Sequence, residues 1–153
     1  MNQYMQEAIA IALNGIKQGS GPFGALVVKN GVVVGVGVNQ VTKSLDPTAH
    51  AEVCAIRDAC KNLQDFSLAD CQIYTSCEPC PMCLGAIFWA RISAIFYGAT
   101  RDDAAKAQFD DHHFYEELKK DPAKRTIPMA QIMRNDCLVI FDAWGQYQDK
   151  IRY

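Results

Sequence analysis

Four side chains stand out by type and spacing: His50, Glu52, Cys80 and Cys83. His50 lies in "PTAHAEVCAI" (47–56), two residues before Glu52 and just behind Pro47-Thr48, a pair that reads as a helix start. Cys80 and Cys83 belong to "SCEPCPMCLGAI" (76–87). Proline is favoured at the first position of a helix, so Cys80 reads as an N-cap and Cys83 falls in the first turn. At about 100° per residue the two sulfurs sit on neighbouring faces, where they can grip one ion. The positive end of the helix dipole favours their thiolate forms. One imidazole and two thiolates make three ligands, the number typical of catalytic zinc, whose fourth position is left to water. Residues two apart on a helix point about 200° apart, so His50 and Glu52 can flank one ion only if it lies off the helix end. Glu52 is then no ligand; it is placed to exchange protons with water at the metal. Zinc can lower water's pKa from about 15.7 to about 7, which makes hydrolysis the expected chemistry.

Neighbouring residues offer competing readings. A Cys-x-x-Cys alone also suits a redox pair or a structural zinc knuckle. Cys77, Cys80 and Cys83 form C-x-x-C-x-x-C, but the C-x-x-x-C-P continuation of an iron–sulfur run is missing. With Cys77 as a fourth ligand the metal would be closed, and the chain a zinc-stabilised interaction module instead of an enzyme. Cys77 is expected at a strand end, separated from the metal pair by Glu78-Pro79, which reads as backbone scaffolding. His112 and His113 lie outside the spacing and read as loop or rim residues. "GSGPFG" (19–24) matches G-x-G-x-x-G, yet it precedes a strand, and Pro22 removes an amide that a phosphate cradle would use. A turn that brings the chain close to a ligand is the plainer reading.

The elements that must position these groups follow from apolar periodicity. Residues 4–17 have helical spacing and end near Gly19. "FGALVVKNGVVVGVGVN" is a pair of β-branched runs around Asn30-Gly31, a hairpin signal. A helix is expected from about Thr48 to Asn62, a strand at 71–76, a helix at 81–90 and a strand at 92–99. That strand–helix–strand run predicts a right-handed crossover between parallel strands. Residues 102–120 read as helical in two pieces, "MAQIMR" (129–134) as a fifth strand, and 137–151 as a terminal helix broken near Gly145. The expected class is α/β: a three-layer α/β/α sandwich on a mixed five-stranded sheet, one domain over 1–153.

Composition narrows the setting. The formal net charge is −2, which weighs against RNA or DNA as the main substrate, although "KKDPAKR" (119–125) is a local basic run. Seven cysteines, unevenly spaced and without a secretory signal, suggest thiols in a reducing cytoplasm. No apolar run approaches the roughly 18–20 residues of a membrane span.

H-x-E followed by P-C-x-x-C is the signature of the zinc nucleobase deaminases, and the expected reaction is hydrolytic deamination. "DPTAHAEVCAIRDAC", "YTSCEPCPMCLGAIFWAR", the "AQFDD" at 107–111 and the terminal "IRY" together resemble the bacterial guanine deaminases, of the cytidine-deaminase-like superfamily. The resemblance runs across nearly the whole chain. It implies hydrolysis of guanine to xanthine and ammonia, one zinc per chain, and a homodimer whose C-terminal segments are exchanged. His50, Cys80 and Cys83 would bind zinc and Glu52 would shuttle protons. Asn39 would hydrogen-bond the purine edge, Phe23 and Trp89 would wall the base, and the Ala51 backbone would lie near its ring. Asp111 and Tyr153, from the partner chain, would contact and cover it. Related chemistries within reach of the same motif are tRNA adenosine deamination and the deamination of cytosine or a triazine amine.

Overall fold

The computed structural model describes residues 2–109 and 111–153; Asp110, part of the "AQFDD" segment, lies outside the described residues. The chain forms two compact units, one up to His112 and one from His113 to Tyr153. In order, the first unit holds α1 (Gln3–Lys17), β1 (Gly24–Lys29), β2 (Val32–Val38), the single turn α2 (Val41–Ser44), α3 (Ala51–Leu63), β3 (Cys71–Cys77), α4 (Pro81–Trp89), β4 (Ala94–Ala99) and α5 (Arg101–Lys106).

Local chemistry accounts for several boundaries. α1 starts where Asn2 Oδ1 accepts from the Tyr4 and Met5 N–H groups at 3.0 and 3.1 Å. Asn30 and Gly31 take φ of 49° and 80°, the paired positive values that a two-residue hairpin turn requires. The sheet order is β2-β1-β3-β4, with β3 and β4 parallel and the other pairs antiparallel. The mixed sheet and the parallel crossover through α4 therefore match the sequence.

β1 divides the core. Ala25 and Val27 pack with Ala51, Ala55 and Ala59 of α3 and Ile87 of α4. Leu26 and Val28, pointing the other way, pack with Ala8 of α1 and Tyr74. α1 thus packs in one cluster, and α3 and α4 pack in the other.

α3 lies unusually close to β2, and glycine is the reason. A Cβ on Gly35 would come 2.5 Å from the Ala55 carbonyl oxygen, and one on Gly37 would strike the Ala51 carbonyl. α3 also wraps the free edge of β2: Asp58 Oδ2 accepts from the Val36 N–H and Asn62 Nδ2 donates to the Val34 carbonyl, both at 2.9 Å. Those bonds satisfy groups that an open edge strand would leave bare.

Three expectations need correction. The described sheet has four strands, because 129–134 pairs with nothing there; Met129, Ile132 and Met133 are exposed. A short apolar alternation cannot by itself supply a partner strand. α3 begins at Ala51 and not at Thr48, because Asp46 Oδ1 draws in the Thr48 N–H and hydroxyl at 2.8 and 2.7 Å and holds 46–48 as a turn. The last helix, α7 (Arg134–Gln146), starts earlier than 137 and does not resume after its end, one residue past Gly145, where the break was expected.

The second unit holds most of α6 (His112–Lys119) and all of α7. Inside it, Glu117 gathers the Thr126 N–H at 2.7 Å, the Thr126 hydroxyl at 2.9 Å, and Lys120. No helix among the described residues is long and apolar enough to cross a membrane.

Candidate metal centre

Two helix starts meet here. His50 is the N-cap of α3, and Cys80 is the N-cap of α4, with Pro81 in its first turn. His50 Nδ1 lies 3.5 Å from Cys80 Sγ and 3.4 Å from Cys83 Sγ. Zinc bonds of about 2.3 Å to sulfur and about 2.0 Å to nitrogen, at a tetrahedral angle, separate N from S by about 3.5 Å. The three side chains therefore fit one zinc ion as they stand, and they form the one such metal-binding group among the described residues.

Glu52 sits two residues into the same turn, 5% exposed, with Oε2 accepting from the Cys83 thiol at 3.4 Å. Burial pushes its carboxyl above the usual range. Cys80 is brought down to about 4, first by its hydrogen bond with Cys83 and also by His50. Cys83 is pushed up, because Cys80 carries the pair's first negative charge and the site is buried. His50 is raised chiefly by its bond to Cys80. Without metal, the trio thus holds one thiolate against a histidine that readily accepts a proton.

Cys77 stands apart. It is the last residue of β3, its thiol donates to the Thr100 carbonyl at 3.6 Å, and burial raises it to about 11. His112 and His113 begin α6 as exposed residues, and His113 lies 4.0 Å from Glu117.

The other sequence-derived residues are distributed as follows. Asn39, 8% exposed, follows β2; its N–H donates to the Phe23 carbonyl at 3.1 Å and its Oδ1 accepts from the Val41 N–H at 3.2 Å. The next residue, Gln40, donates to the Ala49 carbonyl at 2.8 Å, which ties the end of β2 to the start of α3 beside His50. Phe23 is half-buried and meets Phe109 edge-on at 4.8 Å. Ala51 is fully buried behind His50. Asp111 lies close enough for its charge to act on both His50 and Cys80; burial, then Cys80, raises its carboxyl. Its Oδ1 is buried and has no hydrogen bond among the described residues, as a group awaiting a ligand would be. Trp89, at the far end of α4, is exposed, with Arg91 5.9 Å from its ring centre. Its Cα lies about 9 Å along the helix axis from that of Cys83. Tyr153 is exposed in the second unit.

Residues 1–99 match the cytidine and deoxycytidylate deaminase zinc-binding region. This chain belongs to that deaminase family. Among its relatives, the guanine deaminase of Bacillus subtilis is 51% identical over 151 residues, covering 98% of this chain and 97% of that protein. The crystal structure of that enzyme superimposes with a TM-score of 0.96, covering 100% of this chain and 99% of its own. A guanine deaminase from Nitrosomonas europaea, 30% identical, superimposes with a TM-score of 0.68 over 71% of this chain and 63% of its own. The tRNA-specific adenosine deaminase of Buchnera aphidicola is 35% identical over 137 residues, 90% of this chain and 88% of that protein. The α/β architecture of the deaminase-family chain is accordingly cytidine-deaminase-like.

Two features of the deaminase site exceed the sequence reading. Glu78 does more than scaffold through its backbone: its N–H donates to the Ala99 carbonyl at 2.8 Å, and its Oε2 accepts from the Arg101 N–H at 3.1 Å. It thereby ties the cysteine loop to the segment leading to Asp111. Phe109 is the second, since nothing local to "AQFDD" announces its aromatic partner Phe23, 86 residues upstream.

Proposed function

We propose that this protein hydrolyses guanine at C2 to xanthine and ammonia, with one zinc held by His50, Cys80 and Cys83. The observation that carries the proposal is the pairing of three donors at zinc-like separations with a buried carboxylate outside the ligand set. The 51% identity to the B. subtilis guanine deaminase supports guanine as the base. When bound, zinc supplies a Lewis acid that makes water a competent nucleophile near neutral pH.

The protein's own groups do the rest. Glu52 accepts one proton of the attacking water and passes it to a ring nitrogen of the base as oxygen adds to C2; it then carries the second proton, from the hydroxyl now on C2, to the amine, so that the C2–N bond breaks, C2=O forms and ammonia leaves. Asp111, whose Oδ1 has no hydrogen bond among the described residues, accepts from the N1–H and 2-amino donors of the base. Asn39 bonds a second edge of the purine. Phe23, braced by Phe109, walls one face, and the Ala51 backbone lies beside the ring.

The same reading makes the protein a cytoplasmic enzyme of purine metabolism and a homodimer. Each unit by itself exposes large apolar side chains: Phe88, Trp89, Phe96 and Tyr97 in the first, Val139, Ile140, Phe141 and Tyr153 in the second. Such surfaces suit burial by a second copy. Exchange of the C-terminal segments would complete the 1–153 domain and bring the partner's Tyr153 over the base, beside this chain's own Trp89. The three-layer arrangement is supported by the core clusters on opposite faces of β1.

Ammonia release across guanine, cytosine, adenine, cytidine and a tRNA anticodon hairpin tests the substrate, and light scattering on the eluting protein tests the dimer. Guanine is expected to be turned over fastest. A preference for the hairpin would favour the tRNA reading suggested by the B. aphidicola relative.

A further inference from the structure

The glycines of "GSGPFG" (19–24) serve three separate purposes. Gly19 has φ of +79° and nothing within 4 Å of an added Cβ, so it is there for its backbone. Gly24 admits α1: a Cβ would strike the Ala8 carbonyl and lie 2.7 Å from the Ala12 nitrogen. Gly21 needs neither a positive φ nor a helix contact. Its missing Cβ faces one side chain, Asn39, at 3.1 Å from Cγ and 3.2 Å from Oδ1.

Asn39 has little freedom to withdraw. Its N–H is bonded to the Phe23 carbonyl at 3.1 Å, Phe23 returns an N–H to the Gly21 carbonyl at 2.9 Å, and the residue is buried. A backbone N–H can only donate, so the amide atom facing the Val41 N–H at 3.2 Å is the oxygen. Nδ2 is left as the free end, with no hydrogen bond among the described residues. A Cβ at position 21 would push on the carbon and oxygen of that amide and turn it.

We infer that Gly21 is a positioning residue: by lacking a side chain it holds the Asn39 amide with Oδ1 on the Val41 N–H and Nδ2 as a donor, so that this corner of the site selects bases presenting a hydrogen-bond acceptor. The inference rests on the reading of Asn39 as a base contact. It divides recognition by polarity: Asp111 accepts from the N–H groups of guanine, and Asn39 donates to one of its oxygen or ring-nitrogen acceptors. A base offering an N–H at that point would face a second N–H and be rejected.

The test uses zinc-loaded full-length protein carrying Gly21→Ala, Asn39→Ala, both together, or Asn39→Asp. Guanine kcat and KM, guanine Kd, zinc content and Tm are measured for each. Gly21→Ala should keep its zinc and a Tm near wild type while losing about 10-fold in kcat/KM, carried by KM. In the Asn39→Ala background the same change should cost nothing more, since its target is gone. Asn39→Asp keeps the acceptor for Val41 but replaces the free donor with an acceptor; it should lose about 100-fold or more in kcat/KM with Tm preserved. Additive losses in the double variant, or wild-type turnover by Asn39→Asp, overturn the inference; if Gly21→Ala does not fold, Asn39→Asp decides alone. Wild-type behaviour of Asn39→Ala removes Asn39 from base recognition and the inference with it. A wild-type protein that neither binds nor deaminates guanine defeats the proposed function itself, and then the inference falls too.

Discussion

Glu52 Oε2 lies 3.4 Å from Cys83 Sγ, yet Glu52 stands outside the donor set formed by His50, Cys80 and Cys83. Proximity without ligation is what a proton carrier beside a metal requires. Glu52→Gln should therefore retain one zinc per chain, measured by elemental analysis, and lose about 10²–10⁴-fold in turnover. Wild-type turnover in that variant would remove Glu52 from the mechanism.

The same carboxyl should leave a mark on stability. Burial raises it in the folded state above its ordinary value of 4.5. Folded protein then holds the proton more tightly than unfolded protein, so this contribution is complete below the unfolded value. It is lost as pH rises through the folded one. In zinc-free protein, urea midpoints between pH 4 and 8 should fall with rising pH more steeply for wild type than for Glu52→Gln. Parallel curves would show that Glu52 titrates alike in both states.

Zinc binding needs His50 neutral and Cys83 deprotonated, whereas both hold protons more tightly than usual before the metal arrives. Binding should release protons, and competition with a chromophoric chelator should give a tighter Kd at pH 8 than at pH 6. Chelation should abolish ammonia release and added zinc restore it. Cys77→Ser should keep both metal and activity, since the Cys77 thiol is turned to the Thr100 carbonyl; loss of zinc there would make Cys77 a ligand.

Gly37→Ala drives a methyl group into the Ala51 carbonyl at the start of α3. Overpacking of this kind costs about 1–3 kcal/mol or more, read as a lower urea midpoint. The displaced turn carries His50 and Glu52, so kcat should fall as well. A variant as stable and active as wild type would show that α3 shifts freely on β2.

Asp111→Ala removes a buried acceptor that has no donor among the described residues. It should leave zinc content unchanged and reduce kcat/KM for guanine by about 10²-fold or more. An unchanged KM and kcat would place Asp111 outside the base site.

Elements with strong local signals were legible in the sequence. Asn30-Gly31 specifies its hairpin because both residues tolerate positive φ, and Cys80-Pro81 specifies a helix start because proline is suited to that position. The 129–134 segment alternates like a strand yet forms none, because a strand exists only where another strand accepts its hydrogen bonds. The start of α3 is shifted to Ala51 because the Asp46 carboxylate captures Thr48, a competition between side chain and helix that periodicity does not register.

By itself, then, the sequence determined the chemistry of the centre: one imidazole, two thiols and one carboxylate, each at the start of a helix, since residue type and helix initiation are local properties. Only the tertiary structure decided that helix starts 30 residues apart meet with donors 3.4–3.5 Å from one another. That convergence depends on the glycines of β2 lowering α3 onto the sheet and on Gln40 stitching β2 to Ala49. It also decided which atom of Asn39 is free, because a side-chain amide acquires a direction only when a distant backbone group takes one end.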